Sequence, residues 1–118
     1  QKLLAAKVNV CLGTDSLATV AKTKNKKLEL NLFQEMQTLA RKNSDLPPEM
    51  ILQMATANGA RALGLAGKIG ELSENAFADL ILIPFGGKIS EAAEAAVNFS
   101  GRISASMISG EWAIPPKE

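Results

Sequence analysis

The sequence predicts an α/β chain, and three observations carry that prediction. A short apolar, β-branched run, Val8-Asn9-Val10-Cys11-Leu12, stops at Gly13. Apolar residues then recur at helical spacing over residues 28–41. The chain returns to strand character at Ala78-Asp79-Leu80-Ile81-Leu82-Ile83 and ends on a hairpin signal. With 118 residues, 47% of them apolar, there is material for one compact core but not for two ordinary ones.

Residues 2–7 read as the end of a helix. Residues 8–12 read as a buried strand, whose near-continuous apolarity suits a parallel strand covered on both faces. The single cysteine, Cys11, excludes an internal disulfide framework and reads as a reduced, buried thiol, which points to a cytoplasmic protein. Residues 17–27 carry Lys22, Lys24, Lys26 and Lys27 without periodicity and read as a solvated loop. Lacking aromatics and a glycine-rich cradle, that loop does not make a nucleic-acid site.

Leu28, Leu32, Phe33, Met36, Leu39 and Ala40 form the apolar face of the clearest helix. Asn43-Ser44-Asp45 breaks it. Pro47-Pro48 opens the next, with proline tolerated in the first turn and Glu49 near the positive dipole end. Met50, Ile51, Met54 and Ala55 give this helix its apolar face, and the methionines read as core filler. Asn58-Gly59 interrupts the pattern and residues 60–63 resume it, which predicts two short helices or one sharply bent one, with Gly64 as the C-cap.

Gly67, Gly70 and Asn75 punctuate the approach to the 78–83 strand, which Pro84 ends. Residues 90–96 predict a short helix with Ser90 as N-cap and Glu91 and Glu94 in its early turns. Residues 102–108 and 111–114 read as strands joined at Ser109-Gly110. Trp112 and Phe99 are expected to pack the small sheet. Arg61 is expected to pair with a nearby carboxylate or helix end, and Asp79 to make a structural hydrogen bond.

Charge names no partner. Thirteen Lys and Arg face twelve Asp and Glu, so no global field favours nucleic acid or an anionic membrane. No apolar stretch approaches the roughly 20 residues that span a bilayer, and the N-terminus lacks a signal-peptide pattern. The chain opens on Gln1 rather than Met and runs almost at once into a strand, as a cut or processed chain would. Histidine, the commonest metal ligand and general base, is absent, which excludes most familiar hydrolytic sites within this chain alone.

Gly13-Thr14-Asp15-Ser16 follows directly on the 8–12 run and places Asp15 where a parallel strand of an α/β sheet or barrel releases its chain. In barrels, active sites form at that end. A carboxylate there can bind a metal, take a proton from activated water, or simply cap the next helix, and the residues alone leave these open. Thr14 and Ser16 can orient Asp15 or make local turn hydrogen bonds.

The run Val8-Asn9-Val10-Cys11-Leu12-Gly13-Thr14-Asp15-Ser16 resembles the eighth barrel strand of the amidohydrolase superfamily, in the branch of purine and pyrimidine deaminases and chlorohydrolase-like enzymes. Leu30-Asn31-Leu32-Phe33-Gln34-Glu35-Met36 is similar to the helix that follows it there. Ala55-Thr56-Ala57-Asn58-Gly59-Ala60-Arg61-Ala62-Leu63-Gly64-Leu65 resembles the closing helices. Gly67-Lys68-Ile69-Gly70-Glu71-Leu72 and the 78–83 strand resemble the return into a small flanking β-domain, and Met107-Ile108-Ser109-Gly110-Glu111 its last hairpin. The 17–27 loop departs from the short Asn-containing link usual in the branch, and Asn75-Ala76-Phe77 stands where Gly and a charged residue are usual.

The resemblance implies the C-terminal fragment of a (β/α)8 TIM-barrel metal-dependent hydrolase. Residues 1–66 would supply the last barrel strand, a loop and helices, and residues 67–118 strands of the small β-domain. It implies that Asp15 helps hold a catalytic zinc, or iron, and shuttles a proton as water attacks a C–N or C–Cl bond of a small molecule. The remaining ligands in that family are histidines, so this chain is expected to bind no metal and to be inactive alone. The alternative is a noncatalytic assembly module. On either reading, the uncovered 8–12 strand and the face led by Leu32, Phe33 and Met36 predict self-association or association with a missing N-terminal part.

Overall fold

In the computed structural model, which describes residues 2–16 and 30–117, Asn31 starts the clearest helix. Its Oδ1 accepts the Phe33 N–H at 2.9 Å, satisfying one donor of the first turn. Helix α2 (Leu32–Lys42) follows α1 (Lys2–Ala5), with Glu35 in the first turn and Arg41 and Lys42 in the last, both signs matched to the dipole. It starts later than the apolar pattern, and both Leu28 and the 17–27 loop lie outside the described residues.

Helices α3 (Pro48–Ala55) and α4 (Ala57–Ala62) are separate, as two short helices were expected to be, but the break falls earlier than expected and Asn58-Gly59 lies inside α4. The joint is Thr56, at φ −129° and ψ −96°, whose Oγ1 donates to the Leu52 carbonyl at 2.7 Å. Gly64, at φ 71°, ends α4: Leu65 N–H donates to Ala60 O at 2.8 Å and Gly64 N–H to Arg61 O at 3.2 Å. That is the Schellman pattern, which needs a left-handed residue at this place.

Met36, Ile51 and Val97 form the buried core, with Leu12, Phe33, Leu39 and Leu46 packed against it. Val97 comes from α5 (Ala92–Val97), which a 3-10 turn (Ile89–Glu91) precedes. Ser90 therefore lies inside that turn and not at a cap; Glu91 reaches back instead, accepting the Lys88 N–H at 3.3 Å. Phe99 is a second correction. Its ring meets Phe33 edge-on at 5.3 Å and its carbonyl accepts from Gln37 Nε2 at 2.7 Å, so it belongs to the helices and not to the sheet.

The sheet has three antiparallel strands in the order β1 (Leu80–Leu82), β2 (Ala105–Ile108), β3 (Glu111–Ile114). Leu80 faces Met107, and Met107 faces Trp112 across a pairing irregularity at Ser106/Met107. Ser109 and Gly110 both have positive φ, 51° and 84°, as a two-residue hairpin turn matched to strand twist requires. Asp79 makes the structural bond expected of it: its Oδ1 accepts the Ser109 N–H at 2.6 Å, tying the start of β1 to the far turn.

Residues 8–12 join no strand, contrary to the expected buried parallel one. A strand exists only through its neighbours, and none of the described residues offers this segment an edge. Cys11 is accordingly exposed rather than buried.

Gly70 marks the tightest approach of the connection to the helices. It sits at φ 77°, and a Cβ there would lie 2.8 Å from both the carbonyl carbon and oxygen of Thr56, at the α3–α4 joint. Gly70→Ala is expected to cost about 2–4 kcal/mol, left-handed strain plus a clash with backbone that cannot step aside. Gly64→Ala, at φ 71° but with open space around it, should cost only about 1–2 kcal/mol. Urea unfolding midpoints check the order; equal costs would refute the close-packing account.

Candidate functional site: the segment that carries Asp15

The 8–16 segment is fixed to α3 and α4 by hydrogen bonds rather than by a sheet. Leu12 N–H donates to Met54 O at 2.8 Å. Asn58 Nδ2 donates to Val10 O at 2.8 Å, and Asn9 Nδ2 donates to Asn58 O at 3.0 Å. Arg61 Nη1 donates to Asn9 Oδ1 at 3.2 Å, with a longer approach to Asn58 Oδ1 at 3.5 Å. Among the described residues Arg61 thus binds amides, not the carboxylate or helix end expected of it. Val10 and Leu12 are half-buried, while Val8, Asn9 and Cys11 are exposed.

Past Gly13 the segment presents the candidate residues. Thr14 is half-buried and Asp15 and Ser16 are exposed. Asp15 has φ 53°, a left-handed conformation that Asp tolerates better than most residues, and its carboxylate stands in solvent. A cavity of about 230 Å³ borders the segment on its helix side, lined by Leu3, Leu4, Val10, Leu12, Leu46 and Met54 among others. Asp15 is not among its lining residues, so this apolar space does not mark where Asp15 would meet a substrate.

An exposed carboxylate is a fit oxygen donor for zinc or iron. It is also one donor only. Among the described residues no three His, Cys, Asp or Glu side chains converge, and the sequence has no histidine. The residues present therefore fit one ligand position and not a complete site. No helix among the described residues is long and apolar enough to cross a membrane.

The hydrogen-bonded trio Asn9, Asn58 and Arg61 escaped the sequence reading, in which Asn58 was only a break in a pattern. The available signal was an amide inside an otherwise apolar run, Asn9, together with a second amide on a helix. Each carries a donor and an acceptor that a packed setting must satisfy.

Residues 1–113 match the family model described as Amidohydrolase family. The chain belongs to the amidohydrolase family. Among curated amidohydrolase relatives, a 5-methylthioadenosine/S-adenosylhomocysteine deaminase of Syntrophobacter fumaroxidans is 46% identical over 71% of this chain and 19% of its own length. A 5'-deoxyadenosine deaminase of Methanosarcina mazei is 39% identical over 70% of this chain and 18% of its own. Among solved amidohydrolase structures, an adenosine deaminase from Xanthomonas campestris with bound zinc superposes with a TM-score of 0.75 at 26% identity, covering 95% of this chain and 27% of that one. The chain spans about a fifth of the length of the curated relatives it matches.

Proposed function

We propose that this chain is the C-terminal part of a zinc-dependent deaminase of adenine nucleosides, and that Asp15 is its contribution to the chemistry. The observation that carries the reading is the amidohydrolase match over residues 1–113, which includes Asp15, with relatives named as deaminases of 5-methylthioadenosine, S-adenosylhomocysteine and 5'-deoxyadenosine. Chlorohydrolase chemistry and a purely noncatalytic assembly role draw no comparable support from those names.

On this reading residues 1–66 complete a (β/α)8 barrel and residues 67–118 join a small flanking β-domain. The rest of the protein would cover what this chain leaves bare: Val8, Ile81, Ile108 and Trp112 are each 46–59% exposed. Uncovered apolar groups of this size favour a partner surface. The 8–12 segment would find its missing strand neighbours there.

Zinc, when held by a complete ligand set, supplies a Lewis acid that makes water acidic enough to attack. Asp15 offers one carboxylate oxygen to such a set. Its other oxygen can accept a proton from the attacking water and release it to departing ammonia. Thr14 and Ser16, on either side, would restrict the rotation of that carboxylate. The substrate's exocyclic amine leaves and its ring carbon gains oxygen, so each turnover consumes one water and yields one ammonia.

The test is ammonia release by the zinc-loaded full-length protein presented in turn with 5-methylthioadenosine, S-adenosylhomocysteine, 5'-deoxyadenosine and adenosine. Release from at least one is the expected result. None from any of the four would overturn the nucleoside assignment.

A further inference from the structure

We propose that Asn9, Asn58 and Arg61 form a latch that sets the register of the 8–12 segment on α3 and α4, which makes Asn58 and Arg61 positioning residues for Asp15. The part played by Asp15 rests on the deaminase reading above; the latch itself does not.

Apolar packing cannot fix this register alone. Val8, Val10 and Leu12 share one parity, so an extended segment slipped by two residues would still turn aliphatic side chains to the helices. Such a slip would displace Asp15 by about 7 Å, far outside the tolerance of a ligand or a proton carrier. The latch lifts the degeneracy because it recognises particular residues. Asn58 uses Nδ2 on Val10 O at 2.8 Å while its own carbonyl accepts Asn9 Nδ2 at 3.0 Å. Arg61, one turn further along α4, donates to Asn9 Oδ1 at 3.2 Å and closes the ring. In the slipped register Asn9 would be replaced by Lys7 or Cys11, neither of which can both donate to Asn58 O and accept from Arg61. Together with Leu12 N–H on Met54 O at 2.8 Å, the segment is gripped on two sides of Cys11.

The experiment uses two variants. Asn58→Asp keeps the shape but loses the donor to Val10 O, and Asn9→Ala removes an exposed side chain whose loss leaves the core packing intact. In the 118-residue chain, amide hydrogen exchange at Leu12 should accelerate about tenfold in both, the loss of one or two hydrogen bonds, while Met54 within α3 changes less than about twofold. Unchanged Leu12 exchange in both variants overturns the latch.

In the zinc-loaded full-length protein, both variants should lower kcat about tenfold, leave KM within about twofold, and speed zinc loss to a chelator about tenfold. A role confined to stability would lower the melting temperature without moving kcat of the folded enzyme or zinc retention, and that result overturns the positioning role. Asp15→Asn, run in parallel, separates the two readings. If it leaves turnover intact, the deaminase reading of Asp15 fails and the positioning role falls with it, while Leu12 exchange still decides the latch.

Discussion

Asp15→Asn in the zinc-loaded full-length protein is expected to lower ammonia release from the proposed nucleoside substrate about a thousandfold, the usual scale for removing a positioned proton carrier. Asparagine keeps the size of the side chain and is as tolerant as aspartate of the φ of 53° found there. The substitution therefore tests the chemistry of the carboxylate and not the fold. In the 118-residue chain, where Asp15 is exposed and outside the core, the melting temperature should stay within about 2 °C of the parent. Asp15→Ala should give a loss at least as large, since it removes the oxygen donor together with the proton acceptor. Steady-state ammonia release by the full-length variants and thermal melts of the same variants of the 118-residue chain decide the matter. Turnover within a few fold of the parent would return Asp15 to the role of a turn residue.

Ile51→Ala should be the most damaging single change to the fold. Ile51 is 1% exposed, sits on α3, and shares the core with Met36 of α2 and Val97 of α5, so its side chain joins three helices. Truncating it removes buried methyl groups from a cluster with few others to close the gap, at a cost of about 3–5 kcal/mol. A domain of this size commands about 5–15 kcal/mol in all. Urea unfolding followed by circular dichroism should show the midpoint fall by about a fifth or more. Ile114→Ala, on β3 at 45% exposure, should cost less than about 1 kcal/mol. Similar losses at the two positions would mean that the core lies elsewhere.

What could be read from sequence follows a physical line. The helices α2 and α3, the glycine that ends α4 and the 109–110 turn declare themselves because their causes are local: apolar spacing, a proline in the first turn, a glycine past the last. Residues 8–12 were misjudged in the opposite direction. Their composition describes a strand in the middle of a sheet, and none of the described residues pairs with them, so the segment lies irregular with Cys11 exposed. Arg61 and Phe99 were assigned the wrong partners because Asn9 and Phe33 are 52 and 66 positions away along the chain. The candidate site was legible as one residue, Asp15, through likeness to a family. The bonds that hold its segment in place could be seen only in three dimensions.

Those same bonds have a consequence for the order of events during folding. They span 48, 49 and 52 residues, so each must close a long loop before it returns anything. The helices α3 and α4 form from neighbours a few residues apart and lose little by forming first. During synthesis at about 5–20 residues per second, Asn9 would wait roughly 3–10 seconds for Arg61 to be made. Within this stretch, the segment made before the helices is thus the last to settle. Asn9→Ala should accordingly speed unfolding in stopped-flow measurements while leaving the refolding rate within about twofold; a matching slowdown in refolding would place the docking before the barrier instead.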